Sequence, residues 1–323
     1  MNHWWHLLWQ NLGQTAATSI LFLSQIPTLN NEVPDGTVKY SHFADWCLNY
    51  SQLSSDEKTT VAALMKQVAI SDNENSWQSA VNTDKCFEVE DALLEKEAID
   101  LSQDEYSISN LAPIATLNNL KELNLEKQAV NDLSPLSALS RLEKLDLSRN
   151  QINDLAPLNS LSELKELDLS YNLVHFLAPL SSLTKLEELD IEHSVVSDVE
   201  ALNTLINLRR LNLGYNRIDN VEPLVSLYNL KELDLRRNRI RSISPLASLT
   251  NLVELHIEDN YIPLEAQICP SQQRIVCDDL YDQRQRVVDN SIEESVSLSQ
   301  EEILENYERI LKKIIIENKS TEE

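Results

Sequence analysis

Glycine is almost missing from this chain: its 323 residues include only Gly13, Gly36 and Gly214. A loop that cradles phosphate needs several glycines within a few residues, so that backbone N–H groups can approach the anion. No two of the three are close, which excludes Walker-type and dinucleotide-binding loops. Cations are the second shortage. Lys and Arg number 27 against 52 Asp and Glu, a net charge of −25, whereas nucleic acids and anionic membranes are bound mainly by Lys and Arg neutralising phosphate. Neither is expected as a partner, and a basic or neutral protein is. A run of about 18 apolar residues, the length a transmembrane helix requires, is also absent. The histidines His3, His6, His42, His175, His193 and His256 fall in no H-E-x-x-H pattern, and neither G-x-S-x-G nor a Cys/His nucleophile signature occurs. No enzymatic activity, cofactor or metal is expected.

Residues 1–31 contain no Lys, Arg, Asp or Glu. The run Ile20-Leu21-Phe22-Leu23 supplies the apolar centre of a secretory signal, without the positive start or a small-residue cleavage site. Residues 1–40 are therefore a weak export signal, a disordered leader or a surface-attached amphipathic stretch.

What the chain does contain is a repeat. From Leu120 a unit recurs every 22 residues, at Leu142, Leu164, Leu186, Leu208, Leu230 and Leu252, without insertion or deletion. Its pattern is L-x-x-L-x-L-x-x-N-x-[IV]-x-x-[LIV]-x-P-L-x-x-L-x-x, complete in Leu142 to Glu163. The L-x-L pair, such as Leu145 and Leu147, predicts a short strand with alternate residues in the core. Stacked units would pair these strands into one parallel sheet. Asn150, Asn172, Asn216, Asn238 and Asn260 are expected to turn the chain in place of glycine, their amides bonding backbone groups between coils. Pro113, Pro135, Pro157, Pro179, Pro223 and Pro245 fix φ on the outer side. Ile99 and Leu101 stand two residues upstream of this phase, so the first unit carries a two-residue bulge near Gln103 to Tyr106.

This pattern resembles the leucine-rich repeat, in the 22-residue class of internalin-like proteins and of a protein phosphatase 1 regulator. The resemblance implies an α/β, right-handed solenoid over residues 97–268, with a parallel β-sheet on the concave face and a convex side of short 3-10 or irregular turns. Residues 41–96 read as a helical N-terminal cap. Ser54 and Glu57 have capping-box spacing, Val61, Leu64, Met65 and Val68 follow at helical intervals, and Phe43, Trp46 and Trp77 lie nearby. The stretch Phe43 to Leu48 also resembles the N-terminal cap of secreted bacterial leucine-rich repeat proteins. Residues 269–297 form a C-terminal cap and linker. Residues 298–323 predict an amphipathic helix with Ile303, Tyr307, Ile310, Leu311 and Ile314 in one stripe; it packs on the solenoid, self-associates or docks a partner.

The four cysteines lie only in the caps, Cys47 and Cys86 in one, Cys269 and Cys277 in the other. As in many extracellular repeat proteins of this kind, one disulfide per cap is expected; four reduced thiols in a cytoplasmic protein are the alternative. The resemblance implies a non-enzymatic, exported protein-binding module. The alternative is an intracellular regulatory subunit that modulates an enzyme such as a phosphatase.

Two sets of columns cross the array. On the strands, Asn124, Asp146, Asp168, Asp190, Asn212, Asp234 and His256 run beside Glu122, Glu166, Glu188, Glu232 and Glu254. They predict ladders of like charge that attract a basic partner or, alternatively, hold a cation. Two residues past the second strand leucine stand Lys127, Arg149, Tyr171, His193, Tyr215, Arg237 and Asp259, beside Gln151, Leu173, Val195, Arg217, Arg239 and Tyr261. Tyr and Arg are the residues most enriched at binding hot spots. The candidate contact set is Arg149, Tyr171, Leu173, Phe176, His193, Val195, Tyr215, Arg217 and Arg237. Leu173, His175 and Phe176 break the polar template set by Gln151, Asn153 and Asp154, and the fifth unit replaces both scaffold letters, with Ser194 for Asn and Ala201 for Pro. Neutral drift at exposed positions is the competing explanation.

Overall fold

The computed structural model describes residues 39–68, 83–102 and 106–263. The expectations for most of the leader, for Trp77, for Cys269 and Cys277, and for the linker and C-terminal helix fall outside these residues. Within them each repeat makes one coil. Eight strands, β1 (Ala98–Asp100), β2 (Glu122–Asn124), β3 (Lys144–Asp146), β4 (Glu166–Asp168), β5 (Glu188–Asp190), β6 (Arg210–Asn212), β7 (Glu232–Asp234) and β8 (Glu254–His256), pair in parallel in chain order. Their middle residues, Ile99, Leu123, Leu145, Leu167, Leu189, Leu211, Leu233 and Leu255, are buried. The strand is centred on the first leucine of the L-x-L pair rather than spanning both, because the Asp or Asn that follows already begins the turn. Opposite the sheet lie short 3-10 turns such as Ala156–Ser160 and Ala178–Ser182, mostly with Pro at their start, and Leu158 and Leu180 return from them to the core.

The first coil is two residues longer than the others, and Gln103 to Glu105, where the sequence places a bulge, lie outside the described residues. Ile99 pairs with Leu123, a separation of 24 residues, whereas Leu123 pairs with Leu145 at 22. Ile108 is back in phase, since its N–H donates to Gln128 Oε1 as Val130 N–H does to Asn150 Oδ1. The two extra residues therefore fall between Leu101 and Ile108.

Neighbouring coils are joined by a ladder of buried amides. Asn150 Nδ2 donates to Leu125 O of the preceding coil at 2.8 Å and to Leu147 O of its own at 3.0 Å, while its Oδ1 accepts from Val130 N–H at 2.9 Å. Asn172, Asn216, Asn238 and Asn260 repeat the arrangement. Gln128, which sequence reasoning passed over, opens the ladder by donating to Leu101 O at 3.0 Å. Coil five breaks it. Ser194 is too short to reach either group, and its buried Oγ has no hydrogen-bond partner.

The turn itself corrects an expectation. Asn does not supply the positive φ; the residue before it does. Lys127, Arg149, Tyr171, His193, Tyr215, Arg237 and Asp259 all have φ between 50° and 57°. The amide must point inward to bridge coils, so the left-handed conformation passes to an outward neighbour, at roughly 1 kcal/mol or more per residue. None of the seven is β-branched, the class for which this conformation is least tolerable.

The N-terminal end is closed by helices α1 (Phe43–Leu48), α2 (Ser55–Lys66) and α3 (Thr83–Leu94). Ser54 and Glu57 form the reciprocal capping box at the start of α2. Phe43, Trp46, Val61 and Leu64 are buried in one core that continues through the coils to Ile262. Polar ties fix the cap to the first coil: Thr60 Oγ1 donates to Asn110 O, Gln67 Nε2 to Asp100 O and Asn119 Nδ2 to Leu94 O. Cys47 and Cys86 form the expected disulfide, joining α1 to α3.

The covalent and the amide links can be tested separately. Replacing Cys47 and Cys86 together by serine opens a link between residues 39 positions apart and should lower stability by about 3 to 4 kcal/mol in thermal or denaturant unfolding. Asn172→Ala strands several buried backbone groups and should cost about 2 to 4 kcal/mol, whereas Ser194→Asn, by completing the ladder, should raise the melting temperature with a gain of about 1 kcal/mol.

Candidate partner-binding face

The last residue of each strand does local work before any other. Asp146, Asp168, Asp190 and Asp234 each accept, through Oδ1, the N–H two residues on at 2.8 to 2.9 Å; Asn124 and Asn212 do the same for Glu126 and Gly214. This Asx turn accounts for Asp or Asn at that position in coil after coil, and it was not read from the sequence. The expected carboxylate ladders are also interrupted. Lys144 stands in the glutamate column and pairs with Glu166 at 2.8 Å; Arg210 pairs with Glu188 at 2.9 Å and Glu232 at 2.6 Å. A net negative trough of about 700 Å³ remains over the strands, lined by Asp146, Asp168 and Asp190 among others. Among the described residues, no three His, Cys, Asp or Glu side chains are grouped to hold a metal ion.

Asp190 is the most perturbed of these carboxyls. Its pKa is pushed up to about 6, first by burial and then by the charge of Asp168, against the opposing Glu192 N–H and Asn212 Nδ2 hydrogen bonds. Asp168 is raised in the same sense, again first by burial.

At the edge where the coils turn, the left-handed residues stack into a ridge. The Arg149 guanidinium lies 4.3 Å from the Tyr171 ring centre. Tyr171 and His193 stack at 4.4 Å, His193 and Tyr215 at 3.9 Å. Arg237 then lies 4.9 Å from the Tyr215 ring centre and closes the row. Glu126 approaches Arg149 at one end at 3.5 Å, and Asp259 bonds Arg237 at 2.9 Å at the other. Five side chains from five consecutive coils thus form one row of cation–π and aromatic contacts.

Beside the ridge, Leu173 is 56% and Phe176 62% exposed. The Phe176 ring is turned to solvent. It borders a cleft of about 390 Å³ with Leu177, Asp198 and Ala201, the last standing where other coils carry proline. Val195 is half-buried, and Arg217 is exposed one coil further on. The structure thus brings Arg149, Tyr171, His193, Tyr215 and Arg237 into direct contact and leaves Leu173, Phe176, Val195 and Arg217 as flanking positions.

The family described as leucine rich repeats (2 copies) matches residues 140–182, 162–204, 206–246 and 228–267. Residues 140–204 and 206–267 are leucine-rich repeats, wound into a leucine-rich repeat solenoid. Internalin C2 of Listeria monocytogenes is similar in structure, with a TM-score of 0.57 and 27% identity over 66% of this chain and 89% of its own. A second internalin of that organism matches with a TM-score of 0.47 at 26% identity, over 57% of this chain and 61% of its own. A leucine-rich repeat protein of Leptospira interrogans matches with a TM-score of 0.43 at 23% identity, over 50% of this chain and 49% of its own. No curated protein matches. A leucine-rich repeat array is a protein-interaction scaffold whose curvature creates an extended inner face. No helix among the described residues is long and apolar enough to cross a membrane.

The Asp190 environment sets a pH dependence. Because its folded pKa lies above the unfolded value of 3.8, its contribution is fully present below the unfolded pKa and is lost as pH rises through about 6. Asp190→Asn keeps the Oδ1 acceptor, as Asn124 and Asn212 do, and removes the buried charge at the cost of the Asn212 Nδ2 hydrogen bond to Oδ2. It should stabilise the leucine-rich repeat protein at pH 7 by on the order of 1 kcal/mol, and should flatten the pH profile of the unfolding midpoint between pH 4 and 7.

Proposed function

We propose that this leucine-rich repeat protein is a non-enzymatic, exported binding module that grips a protein partner through the inner face and the ridge of coils three to seven. The observation that carries this reading is the unbroken row Arg149–Tyr171–His193–Tyr215–Arg237 with exposed Leu173 and Phe176 beside it. The left-handed turn itself does not call for rings and guanidiniums, since Lys127 and Asp259 adopt the same conformation without either. Large aromatic and arginine side chains held rigid by their neighbours lose little entropy on binding, and an exposed apolar spot with a charged border has the composition of an interface core and rim. The residual negative charge of the trough favours a basic or neutral surface on the partner. The disulfide between Cys47 and Cys86 favours an oxidising, extracytoplasmic setting over the intracellular regulator.

Alanine at Tyr171, Tyr215 and Arg237 together is expected to weaken partner capture from the native organism at least about tenfold while leaving the fold intact by circular dichroism. Unchanged capture would overturn the reading. A photo-crosslinking residue at Phe176 should give partner adducts, and one at Tyr228, which is also exposed but outside the ridge, should not.

A further inference from the structure

The column beside the ridge changes character along the array, from Gln151, Leu173 and Val195 to Arg217 and Arg239. These last two lie on adjacent segments joined in parallel: Arg217 N–H donates to Val196 O, and Arg239 N–H to Ile218 O, both at 2.8 Å. Asn238 and Ile240 are buried, so Arg237, Arg239 and Arg241 alternate outward along one segment. On the preceding coil Tyr215, Arg217 and Asp219 alternate around buried Asn216 and Ile218. Arg217 is thus in register with Arg239, and Asp219 with Arg241. Arg237 is bonded to Asp259, but Arg217, Arg239 and Arg241 make no ion pair among the described residues. Four guanidiniums face two carboxylates, Asp219 and Asp259, in a chain whose net charge is −25. Like charges in register on neighbouring strands are destabilising, so folding gives no reason for this row.

We infer that this flank binds a short acidic segment of a polypeptide, its carboxylates seated on Arg217, Arg239 and Arg241 between Tyr215 and Tyr261. A guanidinium takes a carboxylate through two parallel N–H bonds, and Asp259 on Arg237 shows a carboxylate arriving from a neighbouring coil in this same row. Alternate residues of an extended chain repeat every ~6.6 Å, and Arg239 and Arg241 likewise point outward on either side of buried Ile240. A ligand presenting every second side chain as Glu or Asp therefore matches them one to one. Tyr261, 66% exposed, supplies apolar area at the border. Long polyanions fit less well. The patch spans three coils, about 10 to 15 Å at the usual strand spacing, and the strand that leads into Arg237, Arg239 and Arg241 carries Glu232 and Asp234. A sulfated glycan or nucleic acid would run from the arginines into that repulsion. The inference deepens the proposed ridge reading, with which it shares Arg217 and Arg237, by naming the chemistry of part of the partner.

The test uses the full chain and a short fluorescent peptide alternating glutamate and glycine, followed by anisotropy at low and physiological salt. Binding is expected, weakening as salt rises. Combined Arg217→Glu, Arg239→Glu and Arg241→Glu should weaken it about tenfold or more, with the melting temperature retained because all three side chains are exposed. Lys231→Glu, an exposed change of the same sign away from the flank, should leave it unaltered. Absence of peptide binding, equal binding by the triple variant, or binding of a heparin oligosaccharide in preference to the peptide would each overturn the inference. So would conversion of a dimer to a monomer by the triple variant in sedimentation, since the occupant would then be a second copy. The alanine variant of Tyr171 and His193, with Tyr215 and Arg237 left in place, separates the two ideas: it should lose partner capture if the ridge reading is right while still binding the acidic peptide.

Discussion

The array rests on an inward amide in every coil from the second to the eighth except the fifth. Strands of three residues cannot hold a solenoid together alone, and the turn that follows each strand would leave carbonyl and N–H groups stranded in a dry core. The Asn side chain answers both needs. It donates to two or three carbonyls on two coils and accepts an N–H from the coil before. Because donor and acceptor belong to different coils, the amide works only if consecutive coils stay in step. That requirement explains why the 22-residue period runs without an insertion from Leu120 onward. The single extra pair of residues sits between Leu101 and Ile108, and there the longer Gln128 replaces Asn and spans to Leu101 O.

The ridge is a by-product of the same geometry. With the amide committed inward, the preceding residue must turn the chain with φ near 55°. Glycine would do so most easily, but this chain spends none there and uses Arg, Tyr and His instead. Seven such residues, all in one conformation and repeated once per coil, put their side chains in line at strand spacing. Flat groups at that spacing stack, and the Tyr171–His193–Tyr215 separations of 4.4 and 3.9 Å are what adjacent coils allow. The rigidity that makes the row a credible contact surface comes from the turn beneath it.

Much of the fold was legible because a repeat averages out local ambiguity. One L-x-x-L-x-L is weak; seven in phase place a strand at each leucine pair to within a residue or two, the outer turn, and the extra length of the first unit. Two features escaped for a physical reason. The sequence shows that Asn recurs but not whether it faces inward as a hydrogen-bond bridge or outward at a left-handed turn, and the choice was resolved only by backbone geometry. Likewise the Asp column looked like an electrostatic device, yet its first task is to cap a turn, which Asn124 and Asn212 do as well without charge. The ridge column was visible as a departure from the template. Its contacts were not, since stacking depends on the turn conformation.

The departures from the template also gather in one place. Coil five has Ser194 for the ladder amide, Ala201 for the outer proline and His193 at the centre of the stack, and its strand ends in the carboxyl with the most strongly raised pKa, Asp190. The missing amide and the buried carboxyl lower local stability, and in a one-dimensional array such a defect is tolerated only when intact neighbours hold both sides of it. Coils four and six supply that support, with Asn172 and Asn216 fully bonded on either side. A solenoid under selection for stability alone would restore asparagine and proline to coil five. A coil that keeps neither, yet carries the middle ring of the ridge, is where the array has exchanged scaffold for surface.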